Sequence, residues 1–354
     1  MRSLALTAFV ASFTLGAWAT GIITAPRAVG AFQSEDDGRC HAVVAQSSGT
    51  IVDVTHDCGG GIVATTVLAR LVEPVAISGY YARNDNFRHV IVGLNNGDLF
   101  DIRFKPGIAP APIRLINIRA FGPIVSLAAW TDVHNNKNIA ILSKWFTGAS
   151  VVSVYQANVG QPGKMHFLRI FPEPSMIDIA GEYVYWDNSN KVQIAVGAGG
   201  ASSMKMISWA ADLIPDQSNI ESSFEGTNTP WVTNFPGSNA PSESIVSIGG
   251  NSGYYSGYAP WAAMIGMAIL DTANQIKIFG ANNGGGAIAD GPFDLFAVAV
   301  HSIAGPHFTG IPSGTPRIQL VVAGSDGRLF SLSADQPDSS KVAPAWQFVQ
   351  IGAF

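Results

Sequence analysis

The chain has 354 residues, of which 13% are charged and 47% are hydrophobic, and its formal net charge is −5. No basic run occurs in it, which argues against binding to nucleic acid or to an anionic membrane surface. Gly (38) and Pro (20) are frequent, and no segment has the periodicity of an amphipathic helix. Short apolar runs between Gly-rich turns instead predict an all-β fold.

The N-terminus has the three parts of a secretory signal. Arg2 supplies a positive charge, Leu4–Leu15 is a short apolar core, and residues 17–19 (AWA) fit a small-x-small cleavage site. We therefore expect residues 1–19 to be removed, and the mature chain, 20–354, to be a single domain that is secreted or periplasmic. A later cleavage site and a retained anchor helix are the alternatives, and no other stretch predicts a membrane span.

The two cysteines, Cys40 and Cys58, lie at equal distances from Gly49, which sits in a predicted turn. Residues equidistant from a hairpin turn face each other across the two strands, and an exported protein meets an oxidising compartment. We therefore expect a Cys40–Cys58 disulfide, and two free thiols are the alternative. A zinc site is disfavoured because alternation places His41 and His56 on the other face of the sheet.

A two-stranded hairpin recurs along the chain, with apolar strands on both sides of a turn that contains Gly or Asn. The turns recur about every 50 residues, apart from one step that is lengthened by a polar, Pro-rich insertion at 213–243. This period, with about four strands in each unit, predicts a six-bladed β-propeller of four-stranded antiparallel blades. Seven blades is the alternative, if the insertion hides a degenerate unit. The hairpins are His41–Thr55, His89–Phe104, Asn138–Tyr155, Val192–Trp209, Met264–Phe279 and Ile318–Ser333.

Each hairpin is preceded by an apolar segment that we interpret as the innermost strand of its blade, and it is followed by an outer strand. The N-terminal segment Thr20–Phe32 is either the innermost strand of blade 1 or a tail. The last strand either completes blade 6 or inserts into blade 1. The predicted innermost strands are Val75–Tyr80, Ile124–Trp130, Met176–Ala180, Ile245–Ile248 and Leu295–Val300. The predicted outer strands are Val63–Val72, Ile113–Phe121, Met165–Phe171, Trp231–Phe235, Ala287–Phe293 and Trp346–Phe354.

The loops that follow the innermost strands emerge on one face of a propeller, and here they carry aromatic residues beside Asn and Asp. Aromatic rings cover the apolar face of a sugar, and amide and carboxylate groups bind its hydroxyls, which suits a small-ligand site. Turn formation and packing at blade edges are the alternative interpretation of any single loop. The predicted ligand-binding residues are Tyr81, Asn84, Asp85, Trp130, Asp132, His134, Tyr185, Trp186, Asp187, Tyr254, Tyr255, Trp261 and His301.

These patterns support three hypotheses of function. The first is a secreted, non-catalytic binding protein whose partner is a glycan or another protein. The second is a secreted hydrolase or lactonase with a Ca²⁺ site in the central channel that uses Asp85, Asp132 or Asp187. The third is a structural or assembly protein. Neither a nucleophile elbow nor a phosphate-binding loop occurs in the sequence, so no catalytic residue is predicted and Ca²⁺ is the one cofactor considered.

Two segments, residues 186–194 (WDNSNKVQI) and 270–279 (LDTANQIKIF), resemble the Asp-x-x-Asn-x-Ile-x-Ile core of NHL-type six-bladed propellers. The blade number and the period also resemble those of the six-bladed fungal-type fucose-binding lectins. The Arg, Glu and Trp sugar ligands of those lectins do not recur here once per blade. Both resemblances therefore imply the propeller fold and assign no site residue.

Overall fold

A computed structural model shows an all-β protein. Within the described part of the chain there is one short 3-10 helix, η1 (Arg119–Phe121), and no helix is long and apolar enough to span a membrane. The described residues are 26–58, 61–131, 136–158, 163–171, 176–184, 191–198, 204–210, 245–250, 267–281, 287–294, 299–309, 317–335 and 347–354.

The described strands form six antiparallel sheets, which we number as blades in chain order. Blade 1 contains β1 (Pro26–Gln33), β2 (Cys40–Gln46), β3 (Thr50–His56) and β4 (Ile62–Arg70). Blade 2 contains β5 (Pro74–Ala82), β6 (Phe87–Leu94), β7 (Asp98–Lys105) and β8 (Ile108–Asn117). Blade 3 contains β9 (Ile124–Thr131), β10 (Asn136–Lys144), β11 (Ser150–Asn158) and β12 (Lys164–Phe171).

The second half of the chain continues the pattern. Blade 4 contains β13 (Met176–Val184), β14 (Lys191–Ala198) and β15 (Met204–Ala210). Blade 5 contains β16 (Ile245–Gly250), β17 (Met267–Asp271), β18 (Gln275–Ala281) and β19 (Ala287–Asp294). Blade 6 contains β20 (Val300–Thr309), β21 (Arg317–Gly324), β22 (Arg328–Asp335) and β23 (Gln347–Ala353).

The first strand of each sheet lies nearest the axis. These strands contact one another in the cyclic order β1, β5, β9, β13, β16 and β20, and β20 contacts β1 again. The fold is therefore a β-propeller of antiparallel blades, as the hairpin period predicts; five sheets have four described strands and blade 4 has three. β13 contacts β16 directly, so blades 4 and 5 are neighbours among the residues that the structure describes.

Each innermost strand carries the same irregularity, a one-residue shift of pairing within its first three residues. Beyond this bulge, small residues let neighbouring backbones approach closely. A Cβ on Gly30 would lie 2.9 Å from Ser78 Cα, and one on Gly249 would lie 1.9 Å from the Gly305 carbonyl oxygen. Close backbone packing at the axis thus accounts for the Gly, Ala and Ser in these strands.

The two ends of the chain belong to different blades. β1 is an innermost strand and not a tail, and Pro26 is tolerated because it is the first residue of the strand. β23 pairs with β22 and completes blade 6, so it does not insert into blade 1. Blades 6 and 1 therefore meet through side chains, which include Val29 and Val44 on one side and Val321 and Leu329 on the other.

One predicted innermost strand is wrong. The sequence favoured Leu295–Val300, whereas β20 begins at Val300 and continues to Thr309. Pairing of Val300 with Gly324 sets this register. An apolar run alone does not show which segment pairs with the hairpin, and the apolar residues before Val300 account for the wrong prediction. The predicted outer strand Trp231–Phe235 lies outside the described residues.

Cys40 and Cys58 form the predicted disulfide, with their Cα atoms 5.0 Å apart. The predicted register is wrong by two residues, because Cys40 stands opposite His56. Cys58 lies beyond the end of β3 with a φ of 61°, in the left-handed region, and the chain turns there so that the two sulfurs meet. The bond joins the start of β2 to the connection between β3 and β4.

Candidate functional site

Two described loops lie on adjacent blades at the face where the innermost strands end. One loop joins β1 to β2 (residues 34–39) and the other joins β5 to β6 (residues 83–86). We call these two loops, together with Tyr81, the rim. The disulfide lies at the same end of blade 1, and the Cys58 sulfur is 3.8 Å from a carbonyl oxygen of the first loop. The crosslink therefore supports one half of the rim.

Two arginines of blade 2 hold the acidic loop of blade 1. The Arg83 Nε atom lies 2.7 Å from Glu35 Oε2 at the surface. Arg88 is buried, and its Nη2 atom lies 2.9 Å from Asp36 Oδ2 and 2.7 Å from Asp37 Oδ2. Charge-assisted hydrogen bonds of this kind are directional and stronger than neutral ones. The two halves of the rim are therefore joined by ion pairs.

The blade 2 half of the rim presents polar groups that the sequence predicted. Asn84 is exposed, and Asp85 and Tyr81 are partly exposed. Asp85 Oδ1 accepts a hydrogen bond of 3.1 Å from Phe87 N, and the Tyr81 hydroxyl donates to Asn86 Oδ1. Burial, followed by the nearby carboxylates of the first loop, raises the pKa of Tyr81. The rim thus carries a neutral phenol, an amide and a carboxylate at the same end of blade 2.

A buried ionic network lies beneath Asp85. His89 Nε2 is 3.1 Å from Asp85 Oδ2, and His89 Nδ1 is 2.9 Å from Asp101 Oδ1. Lys137 of blade 3 places Nζ 2.6 Å from Asp101 Oδ2. Burial lowers the pKa of His89, but the charge of Asp101 and hydrogen bonds to both carboxylates outweigh it and raise that pKa. Burial also opposes ionisation of Asp101, yet His89 and Lys137 lower its pKa to about 2.

His89 also belongs to a cross-strand pair of side chains, and a pair of the same kind occurs in blades 1, 2 and 3. In each blade an aromatic residue near the end of the innermost strand stands opposite a polar residue of the second strand. The rings of the first two pairs are stacked, with centroids 4.8 Å and 4.9 Å apart. The pairs are Phe32 with His41, Tyr80 with His89, and Trp130 with Asn138.

Trp130 therefore belongs to the core. Its side chain is 0% exposed and packs in the cluster that contains Leu142, Val154 and Ile179, so its ring faces a neighbouring blade and does not form an open platform. Trp130 is the last residue of the predicted strand Ile124–Trp130 and is grouped there with the loop that follows, but β9 continues to Thr131.

His301 does not lie on the rim. It is exposed, but it is the second residue of β20 and so lies at the opposite end of the innermost strand from the rim. The wrong boundary of that strand misplaced it. Eight further predicted ligand residues lie outside the described residues: Asp132, His134, Tyr185, Trp186, Asp187, Tyr254, Tyr255 and Trp261.

The acidic half of the rim was missed from the sequence. Glu35, Asp36 and Asp37 follow an innermost strand at the same phase of the repeat as the predicted loops. The sequence leaves open whether Thr20–Phe32 is a strand or a tail, so it does not mark the residues that follow as an inner-strand loop. Their arginine partners lie about fifty residues away in sequence, and so no local pattern links them.

A cavity of about 190 Å³ lies on the axis and is lined by all six innermost strands. Asp178 reaches into it from blade 4. Its carboxylate accepts hydrogen bonds from Ile248 N at 2.7 Å, from Ser247 Oγ at 2.8 Å and from Ser126 Oγ. Burial raises the pKa of Asp178, although these hydrogen bonds oppose the shift. The carboxylate thus links blades 3, 4 and 5 across the axis.

The hypothesis of a Ca²⁺ site in the channel gains no support from the described residues. Asp85, which that hypothesis named, lies on the rim beside His89 and does not line the cavity. Asp132 and Asp187 lie outside the described part of the chain. Among the residues that are described, no group of three or more His, Cys, Asp or Glu side chains could hold a metal ion.

Solved structures with this fold include the AofleA protein of Arthrobotrys oligospora, which is 11% identical, with a TM-score of 0.60 and coverage of 93% of this chain and 91% of that one. SapL1 lectin in complex with alpha methyl fucoside is 11% identical, with a TM-score of 0.55 and coverage of 93% and 96%. A fungal lectin, Aleuria aurantia lectin, described as a six-bladed β-propeller with a novel fucose recognition mode, is 12% identical, with a TM-score of 0.53 and coverage of 92% and 96%.

No protein-family model and no curated protein matches the chain. The sheet topology and the similar solved structures define the class of the protein as the β-propeller. The similar structures include propellers that bind fucose. At such low identity the likeness establishes the fold alone.

Proposed function

We propose that the protein is a secreted, non-catalytic, lectin-like propeller that holds a glycan at the rim. The observation that carries the proposal is that Tyr81, at the end of β5, and Asn84 and Asp85, on the loop that follows, lie at one end of blade 2, where ion pairs hold the loop and Arg88 against the neighbouring blade. A partly exposed ring beside an amide and a carboxylate has the chemistry to cover one face of a sugar and to bind its hydroxyls. The predicted loop residues of blades 3 to 5 that lie outside the described ranges are part of the same proposal.

Two features support the choice of ligand and of compartment. The fucose-binding propellers share the fold over nearly the whole chain, which makes fucosylated glycans the first ligands to test. The signal-like N-terminus and the disulfide together support export, because disulfides persist in oxidising compartments.

A glycan array, probed with and without Ca²⁺, tests the proposal. We expect saturable binding to a subset of glycans that does not require Ca²⁺. Asn84→Ala and Tyr81→Ala should each raise the dissociation constant about fivefold or more, since each removes a contact worth about 1 kcal/mol. Asn95→Ala, an exposed amide at the opposite end of blade 2, is the matched control and should bind as the wild type does. Failure of every glycan to bind, or equal binding by all variants, would overturn the proposal.

A further inference from the structure

The outermost strand of blade 1 is unusually open. Six consecutive residues of β4, 62–67, are exposed, among them Ile62 at 55%, Val63 at 51% and Val67 at 57%. None of the six is charged. β4 is bonded to β3 on one side and stands at the edge of its sheet. Its outward backbone groups are therefore available to pair with another strand.

Other outermost strands carry features that prevent such pairing. β8 contains Pro110 and Pro112, which cannot donate a backbone hydrogen bond. β12 contains Lys164 and Arg169 in its sequence, and charged residues on an edge discourage strand addition. β23 is shorter and buries Ile351 in the seam between blades 6 and 1. Residues 62–69 of β4 contain neither proline nor a charged residue, and the one charged residue of the strand, Arg70, stands at its end.

The charges at the two ends of β4 are complementary. Arg70 is exposed at the last residue of the strand. Asp57 is exposed at the other end, where its Oδ1 atom accepts a hydrogen bond of 2.7 Å from Gly61 N just before the strand begins. Antiparallel pairing of two copies of β4 brings each Arg70 towards the partner's Asp57 and keeps the two arginines apart. Parallel pairing would place like charges together.

We propose that β4 pairs in antiparallel fashion with β4 of a second copy of this chain, giving a dimer with two-fold symmetry. Such an interface is self-complementary, because each copy contributes the same strand to it. β4 begins at the end of the blade that carries the rim. Antiparallel pairing therefore places the rims of the two copies on opposite faces of the dimer. If the rims bind glycans, as the proposed function states, such a dimer is a bivalent cross-linker of glycan-bearing surfaces.

Sedimentation velocity over a micromolar concentration series tests the dimer. We expect the wild type to be dimeric and Val67→Lys, which places a charge on the edge, to be monomeric. Ile113→Lys introduces the same charge at an exposed apolar position of β8 and should leave the dimer intact. Arg70→Glu should raise the dimer dissociation constant about tenfold, because it creates like charges, and a second change, Asp57→Lys, should restore it.

Several results would overturn the inference. They are a wild type that stays monomeric at every concentration, a dimer that Val67→Lys does not weaken, and a charge reversal that the second change does not rescue. Binding of neutral phospholipid vesicles that Val67→Lys abolishes would assign the strand to a membrane surface instead. Agglutination of glycan-coated beads separates the two proposals. Its loss in Val67→Lys with glycan binding retained supports both, whereas a wild-type dimer that binds no glycan refutes the proposed function alone.

Discussion

The pH dependence of stability tests how the seam between blades 6 and 1 is built. His56 is fully buried at this seam, and its Nδ1 atom lies 3.3 Å from Gln319 Nε2. Burial, followed by electrostatic interaction with the neighbouring His41, lowers the pKa of His56 to about 4, although Asp53 and Asp57 oppose the shift. The neutral imidazole can accept a hydrogen bond from the Gln319 amide. Protonation removes that bond and leaves a charge in the interior.

The sign and size of the effect follow from proton linkage. In the unfolded chain the imidazole titrates near its ordinary pKa of 6.5, so below that pH the unfolded state binds the proton more readily than the folded state. Stability is therefore lost as the pH falls from about 6.5 to about 4. The linkage relation gives a loss of about 2 kcal/mol between pH 7 and pH 5, and about 3 kcal/mol once both states are protonated.

Urea unfolding at pH 7 and pH 5 measures this loss. Between pH 7 and pH 5 the free energy of unfolding should fall by about 2 kcal/mol more in the wild type than in His56→Gln. The variant keeps every other titrating group, so the pH dependence that those groups cause is the same in both proteins. His301→Gln is the matched control, since its imidazole is exposed, and it should follow the wild type. Equal pH dependence in the wild type and in His56→Gln would show that this imidazole is not buried at the seam as described.

Four further predictions concern stability and export. Replacing Cys40 and Cys58 together by Ser should lower the free energy of unfolding by about 3 kcal/mol in urea titrations without reductant, and an unchanged value would contradict the crosslink. Asp178→Ala leaves several inner-strand donors without an acceptor and should lower the same free energy by about 2 kcal/mol, whereas a neutral effect would refute the link across the axis. Trp130→Ala should cost about 3–5 kcal/mol if the ring is in the core, and less than about 1 kcal/mol if it is an open platform. N-terminal sequencing of exported material should start at Thr20, and an intact N-terminus recovered from membranes would support a retained anchor.

The repeat was predictable because its signals are local. The Asn96-Gly97 and Asp326-Gly327 turns sit between apolar strands. Each hairpin can be recognised from a segment of about sixteen residues. The boundary of β20 was not predictable in this way. Its first residue is set by the pairing of Val300 with Gly324, which no local pattern marks, and the apolar run Leu295–Val300 resembles a strand. The disulfide was predictable, but its register was not, because Cys58 turns back after leaving β3.

The candidate site also contains residues that a local pattern predicts and contacts that it does not. Asn84 and Asp85 follow a clear innermost strand and were predicted as surface groups from that position alone. The ion pairs of Arg88 depend on which blades are neighbours and on how closely they pack, which no local pattern shows. The partnership of His89 with Asp101 was equally hidden, because the two residues lie on different strands of one blade and are 12 residues apart.

A crystal structure of the protein with a glycan selected on the array tests the central claim most directly. The account predicts a sugar on the rim, within hydrogen-bond distance of Asn84 or Asp85 and against the ring of Tyr81. A sugar bound instead in the axial cavity beside Asp178, or on the outer edges of the blades with the rim empty, would contradict it.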